Sequence, residues 1–233
     1  NNSAFDGGGM SNMDSSPTLT NCTFDSNTAT YGGGMYNGDN SSPTLENCIF
    51  TNNSAIQGGG MYNDGSNPTL DNCVFEFNDA NIFGGGMSNM DSSPTLTNCT
   101  FTGNTAYYGG GMYNIGNSSP TLTNCTFTNN TAQDGGGMLN YNSSSPTLTD
   151  TTVCGNTPDQ IDGDWTDNGG NIVADECPSE CPDINGDGYV DVSDLLVVID
   201  QWGLTNSPAD VNDDGIVNVA DILAVVEVWG PCP

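Results

Sequence analysis

One unit, GGGMYNIGNSSPTLTNCTFTNNTAQD over residues 109–134, recurs six times with small changes and constrains the fold more than any other feature. Its methionines, Met10, Met35, Met61, Met87, Met112 and Met138, stand 25 or 26 residues apart. A period of this length signals a solenoid, in which each copy buries its apolar side only against its neighbours.

Inside the unit some distances never change. Two residues after each Met stands Asn12, Asn37, Asn63, Asn89, Asn114 or Asn140. Next comes Pro-Thr-Leu, with Leu19, Leu45, Leu70, Leu96, Leu122 and Leu148, and two residues on Asn21, Asn47, Asn72, Asn98, Asn124 or, in the sixth copy, Asp150. Cys22, Cys48, Cys73, Cys99 and Cys125 follow, then Phe24, Phe50, Phe75, Phe101 and Phe127 with Val153 in the last copy, then Asn27, Asn53, Asn78, Asn104, Asn130 and Asn156. Length varies only between Met-x-Asn and Pro, and just before the triple Gly. Surface turns absorb insertions and stacked strands do not, so these two gaps are turns.

Leu to Cys is an odd step and Cys to Phe an even one, so a single pleated strand cannot bury all three. The chain must turn at the intervening Asn, a residue that tolerates the left-handed conformation and whose amide can bond the Asn one coil away. Each coil is then expected to bury Met, Leu, Cys, Phe and a small Ala (Ala29, Ala55, Ala80, Ala106, Ala132), with Ser, Thr, Asp and Asn facing out. The Ser-Ser-Pro-Thr turns at Ser15, Ser41, Ser92, Ser118 and Ser144 are the expected points for surface sugar.

These landmarks resemble the right-handed parallel β-helices of the pectin-lyase-like type, particularly cell-surface proteins with GG-x-x and F-x-x-N repeats, here GGGM and FTNN. The resemblance implies a mainly β fold, a right-handed parallel β-helix over residues 1–176, closed by a cap from Thr157 to Glu176. It does not choose among functions, because the same scaffold serves lyases, hydrolases, adhesins and structural proteins. The chain starts within a coil, Asn2 to Asp6 standing where Asn53 to Gln57 stand later, so a processed or incomplete start and an uncovered front coil are expected.

Composition narrows the chemistry. Against 29 Asp plus Glu there is no Lys, Arg or His, a formal charge of -29. Nucleic acid and anionic membranes are excluded as partners, because phosphate binding rests on Lys and Arg. No apolar run is long enough to span a bilayer. Lyase chemistry of the pectin type lacks its basic residue, and Ser-His or Cys-His nucleophiles lack their imidazole. A carboxylate pair for glycoside hydrolysis stays open as a reading, although Asp14, Asp39, Asp64 and Asp91 are scattered along a variable turn.

Nine cysteines divide into two sets. The five at one repeat position are expected to form a column of buried thiols. Cys154 with Cys177, and Cys181 with Cys232, are expected as disulfides pinning the cap and bracketing the final segment, which implies an extracellular or cell-surface setting.

After a linker at 177–182 the composition changes to acidic loops and aliphatic helices. Asp183, Asn185, Asp187, Tyr189, Asp191 and Asp194 fit the twelve-residue calcium loop, and Asp210, Asn212, Asp214, Ile216, Asn218 and Asp221 fit it again 27 residues later. Calcium takes six to eight oxygens, from side chains at loop positions 1, 3, 5, 9 and 12 and the carbonyl at 7, and the Gly at position 6 allows the bend that gathers them. Two Ca²⁺ sites are expected.

A loop ending in Asp and followed by one helix resembles a type I dockerin, which implies a small α-helical domain over 183–233 with two pseudo-twofold halves. Loop positions 10 and 11, here Val192-Ser193 and Val219-Ala220, lack the hydroxyl pair of cohesin-binding dockerins, and the helices carry no basic residue. Calcium binding therefore carries over and cohesin binding does not. The expected function is a non-enzymatic extracellular structural protein, a calcium-stabilised β-helix that associates head to tail with its own copies into a filament or layer. The alternatives are a cell-surface adhesin or carbohydrate-binding protein held by the dockerin-like module, with surface polysaccharide as partner, and a carboxylate-dependent polysaccharide hydrolase.

Overall fold

The computed structural model describes residues 1–177, 182, 184–186, 189–205, 207–212 and 214–231. The chain divides into two compact units, Asn1–Cys177 and Pro178–Pro233.

The first unit is a mainly β parallel solenoid. Three seven-stranded parallel sheets run along it, and neighbours in each sheet come from successive coils. The methionine sheet runs from Met10–Met13 to Ile161–Asp162, the leucine sheet from Thr18–Thr20 to Thr166–Asp167, and the phenylalanine sheet from Thr23–Asp25 to Ile172–Ala174. A fourth sheet of three strands, Ser54–Gln57, Asp79–Phe83 and Thr105–Tyr108, precedes the triple Gly in the middle coils. Register pairs like with like: Met35 with Met61, Leu45 with Leu70, Phe50 with Phe75. The last strand of each sheet comes from the cap, which is a short seventh coil.

Packing follows from that register. Met35, Leu45, Phe50 and their equivalents through the middle coils are fully buried, and Cys48, Cys73, Cys99 and Cys125 stand among them as free thiols. The phenylalanine rings stack at 4.5 to 4.7 Å with interplanar angles of 5° or less. That spacing is imposed by the separation of parallel strands, about 4.8 Å, and each stacked pair adds about 1 kcal/mol beyond its buried area. Cys154 and Cys177 form a disulfide that ties the end of the cap to the sixth coil. Cys181 and Cys232 lie outside the described residues.

The expectation that asparagine faces out is wrong for two columns. The Met-x-Asn side chains bond in series, Asn12 to Asn37, Asn63, Asn89, Asn114 and Asn140, each Nδ2 donating to the next Oδ1 at 2.8 to 2.9 Å. In the Phe-x-x-Asn column, the backbone N–H and Nδ2 of Asn78 both donate to Asn104 Oδ1 at 3.0 Å, and Nδ2 also donates to the Phe50 carbonyl. Both columns are buried. Burying an amide is tolerable only when its hydrogen bonds are made, and a parallel stack of amides makes them. Gln160 Oε1 replaces the missing next Asn by accepting from Asn156 N and Nδ2. The other column stops where Gly163 follows the paired residues Leu139 and Asp162, and Asn140 Nδ2 is left without a partner.

At the corner between leucine and phenylalanine sheets the left-handed turn is present, with φ from 48° to 55° at Asn21, Asn47, Asn72, Asn98, Asn124 and Asp150. Its side-chain ladder is partial: Asn72 bonds Asn47 and Asn124 bonds Asn98, whereas Asn98 donates to Asp71. The serine turns divide. Ser41, Ser92, Ser118 and Ser144 are buried and their Oγ atoms accept backbone N–H groups from Ser15, Ser66, Ser92 and Ser118, so these four hydroxyls turn inward against the expectation, whereas Ser15 and Ser93 are exposed.

In the second unit, helix α1 (Val192–Asp200) and helix α2 (Val219–Glu227) are joined by a core of Val190, Val198, Ala209, Val217 and Val225. Each helix starts from a capping box, Asp191 with Asp194 and Asn218 with Asp221, which satisfies the first free amides.

Candidate calcium loops and an aromatic groove

The two acidic loops are wired alike around the Asp that closes each of them. Asp194 is fully buried, and its Oδ1 accepts from Ile184 N at 2.8 Å and Asn185 N at 3.1 Å while Oδ2 accepts from Asp191 N at 2.9 Å. Asp221, also buried, accepts from Val211 N, Asn212 N and Asn218 N at 2.9, 3.3 and 2.7 Å. One carboxylate therefore holds loop positions 2, 3 and 9 to the start of the helix. Burial alone pushes the Asp194 carboxyl up, but the N–H groups of Asp191, Asn185 and Ile184 overcome it and hold the group below the ordinary range.

The second loop shows most of its expected donors. Asp210 Oδ1 accepts from Asp214 N and Oδ2 from Gly215 N, closing the bend at position 6. Asn212 Oδ1 accepts from Asp214 N. Asn218 Nδ2 donates to Asp214 Oδ2 at 3.0 Å and to the Ile216 carbonyl at 2.8 Å. The acceptors of positions 5 and 7 thus share one positive dipole. The Asn218 amide, then the Ile216 N–H, hold Asp214 below the ordinary carboxylate range. An all-oxygen set whose Asp214 is held ionised fits a hard cation.

In the first loop Asp183 and Asp187 lie outside the described residues, and Tyr189 begins the short strand paired with Gly230–Pro231. Among the described residues no three Asp, Glu, Cys or His side chains come together as a metal cluster.

A second feature escaped the sequence reading. The triple Gly is a concave corner, because outward residues on its two sides meet. One column, just before the glycines, contains Tyr31, Gln57, Phe83 and Tyr108; the other, just after Met, contains Tyr36, Tyr62, Ser88 and Tyr113. Tyr31 meets Tyr62 with ring centroids 5.4 Å apart, and Phe83 stacks on Tyr113 at 4.6 Å. Glycine is required there: Gly32 has φ 64° and a Cβ on it would stand 2.1 Å from the Met35 carbonyl oxygen.

Two recesses open along this corner. One of about 400 Å³ is lined by Tyr31, Tyr36, Tyr62, Asp6, Asp64 and Gln57 among others, and one of about 380 Å³ by Phe83, Tyr108, Tyr113, Tyr141, Asp134 and Asp162 with Leu139. Burial, then the charges of Asp91 and Asp39, push the Asp64 carboxyl up. Burial and neighbouring carboxylates, Asp64 first, push the Tyr36 and Tyr62 phenols up. The signal in the sequence was a Tyr or Phe beside four of the six GGGM motifs, at Tyr31, Tyr36, Tyr62, Phe83, Tyr108 and Tyr113.

The family profile described as a right handed beta helix region matches residues 1–127. No curated protein matches the chain. Among the described residues no helix is long and apolar enough to cross a membrane.

Proposed function

The chain belongs to the right-handed beta-helix family, and from that premise we propose a non-enzymatic extracellular structural protein, a β-helix rod whose C-terminal unit binds two Ca²⁺ ions and which joins its own copies head to tail in a filament or layer. The observation that carries this reading is a matched pair of apolar faces on that unit. Val192, Leu196, Ile199 and Trp202 are each about half exposed, and so are Val219, Leu223, Val226 and Trp229, each 27 residues further on. Large apolar side chains at helical spacing, repeated on two equivalent helices, are what a docking surface offers.

Three further features support it. Each coil presents its successor with one row of backbone donors and acceptors, an edge that a second chain can continue. The interior amides are spent on coil-to-coil bonding, which suits a rod. The Cys154–Cys177 disulfide suits an oxidising compartment. The two acidic loops would hold calcium through Asp183, Asn185, Asp187, Tyr189, Asp191 and Asp194, and through Asp210, Asn212, Asp214, Ile216, Asn218 and Asp221, the tyrosine and isoleucine by their carbonyls. Bound calcium supplies positive charge that draws each loop onto its helix.

Electron microscopy and sedimentation of the purified chain, with calcium and with a chelator, test the proposal. Elongated assemblies in calcium that shorten on chelation are expected. Short, uniform monomers in both conditions would refute it.

A further inference from the structure

We infer that the aromatic groove at the triple-glycine corner binds a cationic segment of a partner polypeptide, its lysine or arginine side chains lying over the tyrosine rings and paired with the carboxylates at the rim. Two independent properties of the groove converge on this ligand. Its lining is aromatic: Tyr31, Tyr36 and Tyr62 in one recess, Phe83, Tyr108 and Tyr113 in the other, with Tyr62 and Tyr113 nearly buried against their neighbours' rings. Its rim is acidic: Asp6 and Asp64 in the first, Asp134 and Asp162 in the second.

Aromatic faces carry negative quadrupoles and attract ammonium and guanidinium groups within about 6 Å of the ring centre. The carboxylates add full charges, and the chain has no Lys, Arg or His to offset them. Asp64 already resists ionisation because it is partly buried beside Asp91 and Asp39. A bound cation relieves that crowding, whereas a neutral sugar would remove water from the same carboxylates and leave their repulsion in place. Recesses of about 380 and 400 Å³ are large enough for a long side chain with part of its backbone.

The probe is a fluorescent peptide of alternating glycine and lysine, titrated by anisotropy against the whole chain in calcium at near-physiological salt. A glycine–glutamate peptide and a neutral cello-oligosaccharide serve as comparisons. Binding of the lysine peptide alone is expected. Tyr31→Ala with Tyr36→Ala leaves the net charge unchanged and is expected to weaken it about tenfold. Glu46→Gln, an exposed carboxylate on the leucine sheet and in neither recess lining, is expected to change it less than twofold. Circular dichroism confirms that each variant is folded; should the double variant unfold, Tyr141→Ala, 62% exposed in the second recess, replaces it with the same expectation. Undiminished peptide binding by the folded tyrosine variant would reduce the effect to general charge attraction and overturn the inference. Binding of the oligosaccharide in place of the peptide would overturn it in favour of a glycan.

Discussion

Phe77 holds a left-handed backbone, φ 52°, at a coil position where Ser26, Asn52, Gly103, Asn129 and Gly155 stand in the other copies. Serine, asparagine and glycine enter that region cheaply; for an L-residue with a bulky side chain it costs about 1–2 kcal/mol. The Phe77 ring is 55% exposed, so burial returns little of that cost. Phe77→Asn is expected to stabilise the solenoid by about 1 kcal/mol, raising its melting temperature by about 2–4 °C in calorimetry. A lower melting temperature would mean that the ring is held by contacts worth more than the backbone strain. Asp64 makes a different case. Its folded pKa lies above its unfolded value, so the native state takes up the proton first as pH falls, and stability rises as pH falls through the folded value. At neutral pH the ionised group works against the fold. Asp64→Asn should therefore raise the melting temperature by about 1 °C at neutral pH, and the gain should vanish in acid below both pKa values. A gain that persists there would belong to the new amide and not to the removed charge.

At the scale of a coil, the two inward asparagine columns contribute order that hydropathy alone does not reveal. Asn104 accepts from Asn78 N and Nδ2 and donates to Asn130 Oδ1 and the Phe75 carbonyl, all in the buried interior. Truncation to alanine orphans the Asn78 N–H and the Phe75 carbonyl, so Asn104→Ala should cost about 3 kcal/mol in denaturant unfolding. Asn98→Gly, at the left-handed outer corner, should cost less than about 1 kcal/mol, because glycine accepts that φ and the side chain is exposed. Equal costs would refute the distinction between the columns. The invariant spacing made the sheets, their register and the outer corner legible, since an odd step between Leu and Cys can be met only by a bend. It could not say which asparagines turn inward, because a lone amide avoids the core and only a stack of them, each meeting its neighbour's oxygen, reverses the sign. The aromatic groove was hidden for a related reason: its residues lie on both sides of the glycines, and only the concavity of that corner brings Tyr31 to Tyr62 and Phe83 to Tyr113. The two acidic loops were the opposite case, because each is one short segment whose capping box joins neighbours in the sequence, Asp191 with Asp194 and Asn218 with Asp221.

For the whole molecule the governing quantity is 29 acidic side chains with no basic residue to answer them. Two effects of added salt must be separated: screening, which acts on every carboxylate, and binding, which acts only where oxygens are gathered. The chain's two compact units allow that separation, since each has its own core and is expected to melt in its own calorimetric transition. Raising sodium chloride from about 10 mM to about 0.5 M contracts the Debye length from about 30 Å to a few ångströms and should lift both transitions together. Millimolar calcium at fixed ionic strength should lift the helical transition alone. If it is present at about a hundredfold excess over the dissociation constant, linkage gives about 2.7 kcal/mol, which for a unit this small is about 10 °C or more. Magnesium is the control, because it holds its water tightly and prefers a smaller, rigid octahedron over a flexible loop of Asp, Asn and one carbonyl. If magnesium raises the helical transition as far as calcium does, the loops are acting as diffuse charge, and the calcium reading of Asp183 to Asp194 and Asp210 to Asp221 fails while the solenoid's own stability stays untouched.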